Sequence, residues 1–214
     1  RDNASLNYGT RGTAVTAWSD VAGAGAMMQS VGVPQSDDTY YLMNPFTTTS
    51  LASAQSGLNA ADGIVRTAWE KAQIASNFGG MRALTSNALS SYTSGSTTDR
   101  AGTLNGAPDA TYVTAKDTMQ QTLVLAGLGT GTIKAGDQVT IAGVNRLNVS
   151  TREQILGATG AAVLWTGTVI ADVTIAANAA TIVVSGAAIY EANGQYNNVD
   201  AAPATGAVVT ILGA

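Results

Sequence analysis

The sequence predicts an α+β chain in which a mixed α/β front part is followed by an all-β back part, a small barrel or sandwich of about six antiparallel strands. Three observations carry that prediction. Up to about residue 90, segments with helix caps and helical spacing alternate with short strand-like runs. From Ser90 to Pro108 the periodicity gives way to Ser, Thr and Gly, which marks a domain boundary. Beyond it, short alternating segments punctuated by turn residues follow one another to the end. Lys134–Asn148, KAGDQVTIAGVNRLN, states that pattern most plainly. A Gly-Asp turn leads into Val139 and Ile141 on one face and Gln138 and Thr140 on the other, and a second turn is expected at Ala142-Gly143, so the segment reads as a β-hairpin. The expected division is 1–108 and 109–214.

The chain of 214 residues is long enough to bury a core, roughly 70 percent of its unfolded surface. It is 45% hydrophobic but only 11% charged, against about 25 percent for ordinary soluble domains. Its surface is therefore made largely of Ser, Thr, Asn, Gln, Gly and Ala, which suits packing against copies of itself or other proteins. The net charge of −4 is spread thinly, with no run of one sign. That argues against a nucleic-acid surface, which needs clustered Lys and Arg. With no Cys and no His, disulfides, thiolate nucleophiles, the usual zinc sites and imidazole acid–base chemistry are excluded. No apolar run approaches the roughly 20 residues of a membrane-spanning helix, and the N-terminus lacks a signal-peptide layout. Because the chain starts at Arg1 rather than Met and stops at Ala214 just after an apolar run, a piece of a longer polypeptide is expected.

In the front part, residues 1–15 read as a loop. A helix fits Trp18–Ser30, with Thr16 as N-cap, Asp20 in the first turn, and Gly32 and Pro34 as the stop. Its inner stripe is Trp18, Val21, Gly25 and Met28. Gly23 and Gly25 cost about 1 kcal/mol each, so this helix depends on close packing. Thr39–Met43 is a strand, and Asn44-Pro45 opens a second helix running to about Ser56. A third is expected after Asn59, with Ile64, Val65, Ala68, Trp69 and Ala72 inward, until Phe78-Gly79-Gly80 breaks it; Met81–Thr85 is a returning strand. In the back part, strands are expected at Gln121–Ala126, Gln138–Ala142, Val163–Ile175, Thr181–Ser185 and Ala207–Leu212, with weaker candidates near Tyr112 and Val144. Val163–Ile175 alternates most regularly, its odd positions apolar or Gly and Thr166, Thr168, Asp172 and Thr174 between them, so one face is buried and the other wet. Asn193-Gly194 is a hairpin turn signal.

No catalytic, cofactor-binding or metal-ligating residue is assigned. Gly127-Leu128-Gly129-Thr130-Gly131 follows a strand, but a phosphate loop needs a helix N-terminus after the glycines, and here strands follow. Ser150 and Glu153 match a capping box for a short helical turn, with Arg152 solvated beside them. Asp37-Asp38 reads as a turn pair.

Several long segments in one order carry a family resemblance. WSDVAGAG with GVP (Trp18 to Pro34), YLMNPF (Tyr41 to Phe46), GLNAADGIVRTAWEKAQI with FGGMRALTSN (Gly57 to Asn87), AGDQVTIAGVNRLN and YNNVDAAPATGAVVTILG (Tyr196 to Gly213) resemble the major capsid, or coat, proteins of short-tailed bacteriophages. The likeness is to the subgroup in which the tailed-phage capsid fold carries an inserted β-barrel. It implies that 1–108 is part of the capsid axial domain, ending in a linker, and that 109–214 is the inserted barrel. It implies a structural subunit of an icosahedral shell, without catalysis or cofactor, whose partners are copies of itself in hexamers and pentamers and a scaffolding protein. Neither sequence-specific nucleic acid nor membrane is among those partners. The expected location is the virion, after assembly in the bacterial host cytoplasm. It further implies a longer protein, with an arm, loop and spine helix before Arg1 and returning strands after Ala214.

A different class remains open: a β-rich carbohydrate- or receptor-binding module of a virion or cell surface, for which exposed aromatics on one face would speak. Trp165, Tyr190 and Tyr196 are the barrel candidates, and Trp165 is expected on the buried face.

Overall fold

A computed structural model describes residues 7–9, 12–34, 39–54, 77–78, 81–89 and 91–213. The chain forms two compact units, Tyr8–Tyr92 and Thr93–Ala214.

In the front unit, helix α1 (Trp18–Ser30) starts from Ala17, not Thr16, and no side chain caps it. Its C-terminus closes as the sequence predicts. Gly32, at φ 94, turns the chain, with Gly32 N–H donating to Gln29 O at 2.9 Å and Val33 N–H to Met28 O at 3.0 Å. That paired closure is a Schellman motif, and its left-handed residue is suited to glycine. Strand β1 (Tyr40–Met43) leads to α2 (Pro45–Ala54), where the Asn44 side-chain oxygen accepts the Thr47 N–H at 2.8 Å, the N-cap read from the sequence. Strands β2 (Asn77–Phe78) and β3 (Met81–Thr85) complete a three-stranded sheet of order β1-β3-β2, with β1 parallel and β2 antiparallel to β3. Phe78, expected to break a helix, belongs to β2. The third helix, after Asn59, and Asp37-Asp38 lie outside the described residues. Val21, Met43, Leu51 and Met81 form the buried cluster, with Trp18, Met28 and Tyr41 against it. Burial pushes the Tyr41 hydroxyl pKa up, and the nearby Asp20 carboxylate adds to the rise.

In the second unit, β4 (Ala101–Leu104), β5 (Gln120–Ala126), β7 (Gln138–Asn145), β8 (Leu164–Val169), β10 (Ala179–Ser185) and β11 (Val208–Leu212) close a six-stranded antiparallel barrel in the order β10-β5-β4-β11-β7-β8. Short strands β6 (Gly131–Ile133) and β9 (Val173–Ile175) pair with each other outside it. Leu104, Leu123, Leu125, Val139, Ile141, Trp165, Val169, Ile182, Val184, Val209 and Ile211 make one buried cluster. Alternation along β5 and β11 explains why: Leu123, Leu125, Val209 and Ile211 are buried while Thr122, Val124, Val208 and Thr210 are exposed. The Trp165 indole lies over Gly167, where a Cβ would come within 2.5 Å of the ring, and its N–H donates to Gly186 O at 2.8 Å. Only glycine leaves that space.

Several expectations change here. The Ser/Thr/Gly-rich stretch expected to link the parts contains β4, whose two inward residues, Gly102 and Leu104, are too few to show as a period. The compact unit that holds the barrel includes Thr93–Ala214, and so β4. Lys134–Asn148 is not a hairpin: β7 runs through Ala142-Gly143 as one strand paired to β11 and β8, and the expected second turn is a register shift between Thr140 and Asn145. Val163–Ile175 is two strands. The chain bends after Val169, and the Asp172 carboxylate accepts the Ala135 N–H at 2.8 Å in the bend. Thr166 and Thr168, expected wet, are buried. Gln138 sits opposite Thr168, and the Arg146 guanidinium donates to Thr166 O at 3.0 Å, so polar partners cover this outer face. Burial holds the Arg146 pKa below its ordinary value. The weak strand near Tyr112 is instead the short helix α3 (Tyr112–Ala115). Asn193-Gly194 forms a turn closed by Gly194 N–H to Glu191 O at 2.9 Å, but no strands flank it. The two-residue hairpin turn is Ala177-Asn178, joining β9 to β10.

Candidate functional site

Strand direction puts three connections at one end of the barrel: 105–119 from β4 to β5, 146–163 from β7 to β8, and 186–207 from β10 to β11. Polar side chains bind these loops to each other, because loop backbone groups lack ladder partners and must be satisfied otherwise. Asp109 gathers the start of α3: its carboxylate accepts Thr111 N–H at 2.9 Å, Thr111 Oγ1 at 2.8 Å and Thr114 Oγ1 at 2.8 Å. The Thr111 N–H, then those two hydroxyls, hold its pKa below the usual carboxylate range. Gln121 is buried at the barrel mouth, its Nε2 donating to Asp109 O at 2.8 Å and its Oε1 accepting Ala188 N–H at 3.1 Å.

Two adjacent amides shape the 186–207 loop. Asn197 Oδ1 accepts Glu191 N–H at 2.8 Å while its Nδ2 donates to Glu191 O at 2.8 Å. Asn198 Oδ1 accepts Ile189 N–H at 2.7 Å and its Nδ2 donates to Ala187 O at 2.8 Å. Glu191 Oε1 then accepts Tyr112 N–H at 3.1 Å, and the Tyr112 and Tyr196 rings stack with centroids 4.1 Å apart at 15°. Asp200 fixes the base of the 146–163 loop, accepting Asn145 N–H and Nδ2 at 2.8 Å each and Gln154 Nε2 at 2.6 Å. Burial pushes its pKa up, but those hydrogen bonds outweigh it and leave the pKa lowered. Ser150 and Glu153 make no capping box. Asn148 Oδ1 accepts Ser150 N–H at 2.9 Å and Thr151 N–H at 3.2 Å, an Asx turn. Arg152 Nη1 donates to Asn197 O at 2.7 Å.

This end is therefore preorganised, and it presents apolar groups outward: Tyr196 is 56% exposed, Val113 69%, Val149 63% and Leu156 59%. Tyr190 is exposed as well, whereas Trp165 is buried. Such a surface acts by shape and contact. Among the described residues no group of three or more His, Cys, Asp or Glu is placed to hold a metal ion, and the glycine loop 127–130 leads into strand β6.

At the other end the chain joins and leaves the barrel side by side. The fully buried Asp137 accepts Ser94 Oγ, Gly95 N–H at 3.1 Å and Lys134 N–H at 2.8 Å. Arg100 Nη2 donates to Gly95 O at 2.6 Å, and a Cβ on Gly213 would sit 2.8 Å from Ser94 Oγ and 3.2 Å from Arg100 Nη1. Sequence reading assigned no role to Asp109, Asp137 or Asp200. Asp137, the last residue of a Gly-Asp turn before a strand, and Asp109, two residues before Thr111, have local partners in the sequence; Asp200 has none.

Fold and surface together define an α+β protein with a closed six-stranded barrel whose differentiated region is a set of interlocked loops. The chain belongs to the P22 coat protein family, matching the family described as P22 coat protein, gene protein 5, over residues 1–214. It is 40% identical over 217 residues to the major capsid protein of Acyrthosiphon pisum secondary endosymbiont phage 1, covering 99% of this chain and 51% of that protein. The chain thus spans about half the length of the curated relative it matches. Among solved structures it is similar to the CUS-3 coat protein I-domain, with a TM-score of 0.37 and 25% identity over 56% of this chain and 100% of that one.

Proposed function

We propose that this chain is a portion of a structural subunit of an icosahedral bacteriophage shell, working through repeated protein–protein interfaces and without catalysis. The match of all 214 residues to the coat protein family carries the reading. The virion is its location, reached after assembly in the bacterial host cytoplasm with copies of itself in hexamers and pentamers and a scaffolding protein as partners. Tyr8–Tyr92 serves as part of the capsid axial domain and the unit from Thr93 onward as an inserted barrel. The adjacency of Ser94, Arg100 and Gly213 supports insertion, since a domain whose two ends meet is accommodated within a host fold with little distortion. Low charge and an apolar, preorganised loop end suit a surface buried against neighbours.

Negative-stain electron microscopy of the full-length protein containing this chain, expressed in bacteria, tests the reading. Closed shells of repeated capsomers are expected. Small monodisperse particles alone, with the scaffolding protein supplied, would reject it.

One observation favours a second reading, a carbohydrate- or receptor-binding surface: the exposed Tyr196, stacked on Tyr112 at the loop end. Glycan binding that disappears in Tyr196→Ala while shells still form would establish it beside the first.

A further inference from the structure

We infer that Asn105 is a site of spontaneous self-modification, in which its side-chain amide is converted to a carboxylate through attack by the following main-chain nitrogen. The chain has two Asn-Gly pairs, Asn105-Gly106 and Asn193-Gly194. Glycine matters in both because it places no side chain beside the nitrogen that must attack. In the reaction the Gly106 nitrogen, having lost its proton to solvent base, bonds to Asn105 Cγ. The Cγ–nitrogen bond of the amide breaks, ammonia leaves with a proton from water, and a five-membered imide remains. Water then adds to either imide carbonyl and opens the ring, giving aspartate or its isomer with the backbone routed through the side chain. No oxidant or reductant takes part.

The two pairs are alike in sequence and different in structure. Asn105 and Gly106 are both exposed. The Asn105 main-chain N–H donates to Val124 O at 2.8 Å, but neither the Asn105 side chain nor the Gly106 N–H has a hydrogen-bond partner among the described residues. The space beside Gly106 is open, with nothing within 4 Å of where a Cβ would stand. At the second pair the attacking nitrogen is engaged, since Gly194 N–H donates to Glu191 O at 2.9 Å. A Cβ there would lie 2.5 Å from Asn197 Oδ1 and 2.8 Å from Glu191 Cβ, and the paired Asn197–Glu191 bonds hold the turn shut. That turn must open before its nitrogen can attack. An opening that breaks one net hydrogen bond or slightly more slows the second site by roughly tenfold relative to the first. Conversion adds a negative charge to a chain already at net −4. It does so at the start of the 105–119 loop, which carries α3 and Tyr112.

Prolonged incubation of the folded chain at mildly alkaline pH, followed by peptide mapping with mass spectrometry, reads both sites at once. A parallel sample in denaturant supplies their intrinsic rates, and Asn105→Gln, whose ring closure is slower, assigns the peptide. Comparable rates are expected in denaturant, and conversion at Asn105 about tenfold faster than at Asn193 in the folded chain. Equal rates in the folded chain, faster conversion at Asn193, or an Asn105 that does not convert would each overturn the inference.

Discussion

Asp200 ties together parts of the chain that are far apart in sequence, reaching 55 residues to Asn145 and 46 to Gln154. Its folded-state pKa is lowered, as is that of Asp109. A carboxylate held below its unfolded value stabilises the fold above the unfolded pKa, near 3.9, and loses that contribution as pH falls through the folded pKa. Thermal stability should therefore hold from neutral pH to about pH 4 and fall below it. Asp200→Asn should cost about 1–2 kcal/mol at neutral pH, since an amide cannot accept all three donors as well, and should show a shallower acid loss. Melts of both proteins at neutral pH and near pH 3 check this; parallel curves would deny Asp200 the role. At this scale little of the loop end was legible. Tyr190 and Tyr196 stand out as aromatics, but Gln121 and Asp200 act through partners that no local spacing reveals.

Among the elements, what was legible was what local chemistry decides. The Asn44 cap, the Gly32 stop and the strands expected at Gln121–Ala126 and Ala207–Leu212 depend on neighbours a few residues away, and the structure reproduces them as the cap, the turn, β5 and β11. Strand β8 departs from the expectation because Thr is polar by class yet tolerates burial beside polar neighbours: the Arg146 guanidinium donates to the Thr166 carbonyl, and Gln138 lies opposite Thr168. The β9–β10 turn was missed because its residues are the wrong ones for the shape. Ala177 and Asn178 have φ 50 and 59, the primed turn that prefers Asn-Gly. Left-handed Ala costs about 1 kcal/mol, so Ala177→Asn combined with Asn178→Gly should stabilise the unit by roughly 0.5–1 kcal/mol. Denaturant unfolding measures it, and a loss of stability would show that the turn is held by something other than its own conformational preference.

Across the whole molecule, a helix-bearing unit and a barrel bury apolar residues at different spacings, which is the physical source of the change of periodicity along the chain. Strand β4 was not legible, because it shows one large apolar residue, Leu104, and its membership depends on pairing with β5 and β11, distant in sequence. Barrel closure follows the same logic, since no strand buries its inner face until the sixth has joined β10 to β8. The fold should consequently respond to interior damage as a unit. Val169 is fully buried beside that closing pair. Val169→Asp removes about 1.5–3 kcal/mol of apolar burial and leaves a carboxylate in the lumen at several kcal/mol more, together comparable to the roughly 5–15 kcal/mol that holds an ordinary domain. The barrel unit should then lose its cooperative melt. Thr174→Asp, at an exposed position of β9, should keep it, which separates interior disruption from the effect of an added charge. Differential scanning calorimetry, with Trp165 emission as a local reporter in a background where Trp18 and Trp69 are replaced by Phe, distinguishes the cases. A Val169→Asp chain that melts like the unsubstituted protein, with Trp165 still shielded from water, would mean that the lumen is not the closed apolar core on which the unit depends.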